Sequence, residues 1–122
     1  MYNTTENFME KMQDFFPMTR EKYNKSVISY GKVLETVIIE DIFMPEVLEL
    51  LRKNENVELL EKVFQYIEEI TNGENVCLID TLSVTMFEIL GNDREILKKA
   101  QQYMGPKTTM LQIEADKGLG RV

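Results

Sequence analysis

Apolar residues recur at three- and four-residue spacing along nearly the whole chain, and no segment alternates apolar and polar residues between turn signals. Such a chain can bury its apolar stripes only by packing helix on helix. The expected fold is therefore all-α: six to seven short helices, joined by connections of a few residues into antiparallel hairpins. With 122 residues and 43% apolar content, the chain forms one domain around a single core.

The spacing places a first helix over residues 5–16, with Phe8, Met12, Phe15 and Phe16 on one face and Pro17 ending it. Residues 18–25 read as a polar connection. Ser26 is placed to cap a second helix whose stripe is Tyr30, Val33, Leu34, Val37 and Ile38. Pro45 suits the first turn of a third helix ending near Lys53, and residues 54–56 form a loop. The fourth helix, 57–71, is the clearest. Leu59, Leu60, Val63, Phe64, Ile67 and Ile70 make its apolar face, and Asn72-Gly73 is a stop. Asn75 caps a fifth helix to Leu90, apolar on two sides and so expected at the centre. Asp93 caps a sixth to about Met104, stopped by Gly105-Pro106, and Thr108 or Thr109 starts a last short helix to about Lys117. Residues 26–104 hold the core helices, and 118–122 are expected to fray.

Residues 54–67 align with 91–104: Glu58/Glu95, Leu60/Leu97, Lys62/Lys99, Gln65/Gln102 and Tyr66/Tyr103 are identical. Paired helices at this period suggest stacked hairpins of the HEAT or armadillo kind, with a plain bundle as the other arrangement. Two amphipathic helices can also resemble each other by composition alone.

The negative charge is concentrated in the middle. Residues 35–74 hold eleven acidic and three basic residues, a net −8 in a chain of −7. An acidic surface suits a basic protein partner and repels nucleic acid. With no histidine, the usual general base and commonest metal ligand are missing, and there is no Gly-rich phosphate loop. No enzyme activity, cofactor or metal is expected. Cys77 stands alone, which excludes an internal disulfide, and an apolar helix context suggests a core position. The first ten residues lack a signal-peptide pattern and the longest apolar runs are far short of a membrane span, so a cytoplasmic location is expected.

The fourth predicted helix carries Glu58, Glu61, Gln65, Glu68 and Glu69 within about a third of its circumference. A solvated face is the commoner explanation of such a stripe. Glu68-Glu69 and Glu40-Asp41, however, both fall in predicted last turns, where the helix dipole disfavours an exposed anion by ~0.3–1 kcal/mol. Local rules broken without local gain point to function. Glu40, Asp41, Glu61, Glu68 and Glu69 are therefore the candidate partner contacts. The spacing is not that of an EF-hand, and adjacent glutamates on a helix diverge too far to chelate.

Residues 87–108, FEILGNDREILKKAQQYMGPKT, resemble the C-terminal signature of an uncharacterised family of small all-helical bacterial proteins. The matching elements are the turn Leu90-Gly91-Asn92-Asp93 and the helix end Tyr103-Met104-Gly105-Pro106-Lys107-Thr108. Residues 50–70 are similar to that family's middle helices, so the likeness covers the last two-thirds of the chain. Proteins of this type resemble immunity proteins encoded beside polymorphic or contact-dependent growth-inhibition toxins. The resemblance implies a non-catalytic inhibitor of one toxin domain, with a basic nuclease (an RNase before a DNase) as partner. A helical-repeat scaffold or adaptor with no toxin partner is the alternative.

Overall fold

The computed structural model describes residues 4–121. It is all-α, with seven helices and no strand among the described residues. Helix α1 spans Thr5–Phe15 and starts at Thr4, whose hydroxyl accepts the Asn7 amide at 3.0 Å. A 3-10 turn over Pro17–Thr19 leads into α2, Arg20–Tyr30. The expected polar connection at 18–25 is thus mostly helix. Ser26 lies inside α2 rather than capping it, and the chain breaks later, at Gly31. That glycine adopts φ 71° and donates its amide to Val27 O at 2.8 Å, a left-handed helix stop. Tyr30 and Val33, expected in a buried stripe, are exposed, and α2 buries no residue.

Helix α3 runs without interruption over residues 35–53, through Glu35–Ile38, a π-helical turn at Ile39–Phe43 and Met44–Lys53. Pro45 was expected to open a separate helix. Instead it sits where α geometry resumes after the π turn, at a position that tolerates its missing N–H. Asn54 and Asn56 take positive φ in the following loop, a conformation their short polar side chains accommodate. Helix α4 is Val57–Thr71. Helix α5 covers residues 76–90 as Val76–Leu82, a second π turn at Ser83–Phe87 and Glu88–Leu90. Helix α6 is Arg94–Gln101, capped by Asp93, and α7 is Pro106–Gly118.

One core joins these helices. Phe8, Met12 and Phe16 of the N-terminal region meet Phe43 and Val47 of α3, Phe64 and Ile67 of α4, and Leu82 and Phe87 of α5, all fully buried. Helix α4 packs on α1, α3, α5 and α7, and the two π turns pack on each other. Phe8 lies edge-on to Phe43 and stacked with Tyr66, while Tyr103 stacks on Phe64 at 5.8 Å. The aligned segments 54–67 and 91–104 start their helices at matched positions, Val57 and Arg94, but differ in burial and length. Leu60 is buried but Leu97 only partly, and Phe64 is core where Gln101 is exposed. Helix α6 also stops before Tyr103, whereas Tyr66 lies within α4.

Candidate functional site

The two sequence signatures of the C-terminal half are joints between helices. Helix α7 has no side-chain cap of its own, because Gly105 occupies the capping position. Its orphan amides are met from α4, about forty residues earlier. Lys107 N donates to Glu68 Oε2 at 3.0 Å and Thr108 N to Oε1 at 2.8 Å, while Pro106 has no N–H to satisfy. Asn72 Nδ2 donates to the same carboxylate at 2.9 Å. The carboxylate also complements the positive end of the α7 dipole. Gly105 is required by the close approach: a Cβ there would lie 2.5 Å from Glu68 Cδ. Burial pushes the Glu68 carboxyl upward. The amides of Thr108 and Lys107 and the Asn72 side chain outweigh it and hold the group below its ordinary range.

The second joint closes the C-terminus. Arg121 Nη1 donates to Glu88 O and Asp116 Oδ1, each at 3.1 Å, and Nη2 donates to Asn92 Oδ1. Gln112 Nε2 donates to Phe87 O at 2.7 Å. The Glu88 carbonyl near the end of α5 is thereby satisfied from the tail, and Phe87 O, which already accepts the Gly91 amide at 3.1 Å, gains a second donor from the last helix. A Cβ at Gly91 would collide with both Asp116 and Arg121. Arg121, within the tail expected to fray over 118–122, is thus tied to α5 and α7, and Val122 lies outside the described residues. Helix α7 buries a polar stripe, with Gln112 at 1% and Asp116 at 7% exposure, and presents Met110 and Ile113 to solvent. Nothing in the sequence of α7 marks Gln112 and Asp116 as buried, since polar residues at helical spacing read as an outer face.

The candidate contacts separate into three groups. Glu68 is turned onto α7 and partly buried, so its position in the last turn of α4 is explained by the helix it caps. Glu40 and Asp41 lie in the π turn of one long helix, not at a helix end, so the expected conflict with the dipole does not arise; both are exposed. Glu61 and Glu69 are exposed on α4. Neither they nor Glu40 and Asp41 form an ion pair with a described residue, whereas Glu49 is taken by Lys53 at 2.9 Å. Glu69 neighbours Lys11, Lys62 and Tyr66 in a shallow depression. Burial, with the Glu69 charge adding to it, pushes the Tyr66 phenol up to about 12. Lys11 lies 5.1 Å from the Phe15 ring centre and 6.0 Å from that of Tyr66.

Cys77 is exposed in the first turn of α5, not in the core, because α5 turns Leu78 and Leu82 inward. Among the described residues no group of three or more Cys, Asp or Glu side chains is placed to hold a metal ion. No helix of the described residues is long and apolar enough to cross a membrane.

Fold and surface together define a small all-helical protein whose signature residues hold helices to one another. Residues 9–119 match the family described as a domain of unknown function (DUF7674), and the chain belongs to that family. No curated protein and no solved structure shows significant similarity to it.

Proposed function

We propose that this chain is an immunity protein that binds and neutralises a basic toxin domain, with a nuclease as the favoured target. The observation that carries the reading is exposed acidic charge: Glu40, Asp41, Glu61 and Glu69 are exposed and form no ion pair with a described residue, although Lys11 and Lys62 line the same depression as Glu69. An exposed surface of one sign accelerates encounter with an oppositely charged partner. A nuclease cleft is basic because it holds phosphates, so an acidic protein can occupy it. Glu68 is left out of these contacts, since its carboxylate is committed to the α7 cap.

The test is co-expression with the protein domain encoded immediately upstream. A one-to-one complex is expected, with toxicity only when this chain is omitted. The double variant Glu61→Lys/Glu69→Lys should slow association by roughly tenfold at low salt while leaving the fold intact. Neither complex nor toxicity would favour the scaffold reading. Normal association of the double variant would remove α4 from the interface.

A further inference from the structure

Helices α5 and α7 leave a groove between them of about 370 Å³. Ile79 and Val84 line it from α5, and Leu111, Ala115 and Leu119 from α7 and the residue that follows it. Val84 is 52% exposed and Leu119 47%, so apolar surface lies open to water along the groove. The π turn at Ser83–Phe87 carries Val84 on its outer side. The Ser83 hydroxyl turns back to donate to Ile79 O at 3.1 Å, leaving the wall apolar. The charged lining residues are Asp80, Glu88 and Glu114, all acidic, with no lysine or arginine among the lining residues.

We propose that this groove docks a basic amphipathic segment of a protein partner, its apolar side chains on Ile79, Val84, Leu111 and Leu119 and its lysines or arginines against Asp80, Glu88 and Glu114. Charge complementarity selects that occupant. An acidic or neutral apolar segment would bury the rim carboxylates without counter-charge, whereas a cationic one pairs with them while covering the floor. The groove shares no residue with Glu40, Asp41, Glu61 and Glu69, and its occupation does not depend on the partner being a toxin.

The test titrates the full isotope-labelled chain with a leucine–lysine amphipathic peptide of about 18 residues, a length that presents several turns to a groove. A matched leucine–glutamate peptide is the control. Saturable amide shifts are expected at Ile79, Val84, Leu111 and Leu119 with the basic peptide alone. Asp80→Lys/Glu114→Lys should weaken binding roughly tenfold without changing Tm. Val84→Ser, which keeps the rim charge, should weaken it as well. Three results with peptide or variants would overturn the proposal. These are shifts gathered at Glu40, Asp41, Glu61 and Glu69, equal binding of both peptides, or unchanged affinity in the variants. Concentration-dependent shifts at the groove without peptide would also overturn it and assign the site to a second copy of the chain.

Discussion

Glu68 shows how one carboxylate can look functional in a sequence and be structural in a fold. At the end of its own helix it opposes the dipole, yet it sits at the start of α7, where the dipole favours it. Glu68→Ala should cost about 1–2 kcal/mol, because two α7 amides lose their acceptor. Gly105→Ala should cost a similar amount by displacing the carboxylate, since the glycine's φ of −81° is open to alanine. The two effects should be strongly non-additive in a double-mutant cycle read by urea unfolding. The same bond predicts a pH dependence. The folded carboxyl titrates below its unfolded value of about 4.3, so its contribution is complete above that pH. It is lost as pH falls through the folded value. Glu68→Gln should remove that part of the acid-side slope.

Among the elements, α7 departs furthest from its sequence. Its apolar residues are spread around the helix, and it buries Thr108, Gln112 and Asp116. The helix is held by polar bonds to the ends of α4 and α5 more than by an apolar stripe. Arg121 completes that joint. Arg121→Ala should destabilise the protein by about 1–3 kcal/mol, because it leaves the Glu88 carbonyl without its side-chain donor and the nearly buried Asp116 without its ion pair, held only by the longer bonds from Gln112 Nε2 at 3.3 and 3.4 Å. Thermal unfolding measures the cost, and hydrogen exchange should show α7 opening before α4. Lys99 makes a smaller joint of the same kind, donating from α6 to Arg52 O near the C-terminal end of α3 at 3.0 Å.

At the scale of the whole molecule, the acidic middle is partly consumed by the fold. Glu49 pairs with Lys53, and Glu68 caps α7. Glu40, Asp41, Glu61 and Glu69 stay exposed, and their mutual repulsion is borne by the core. Raising the ionic strength from about 0.01 to about 0.15 M shortens the Debye length from about 30 to about 8 Å and should raise Tm by a few degrees. A cationic partner should raise it further. A Tm insensitive to salt would mean that the surface charge is already balanced.

The helical class, the extent of α1, α4 and α5 and most of the core were legible in the sequence. Period and capping residues are local properties, and Phe8, Leu60, Val63, Phe64 and Ile67 fall where their spacing puts them. The apolar stripe from Tyr30 to Ile38 predicts one helix, whereas Gly31 in its left-handed conformation divides the chain there into α2 and α3. The two π turns, the inward polar stripe of α7 and the anchored tail were decided only in three dimensions. The start of α7 and the tail depend on partners distant in the chain: Glu68 for the Lys107 and Thr108 amides, and Arg121 for the Glu88 carbonyl. A sequence determines what each residue can satisfy locally; which distant orphan group it does satisfy is settled when the helices pack.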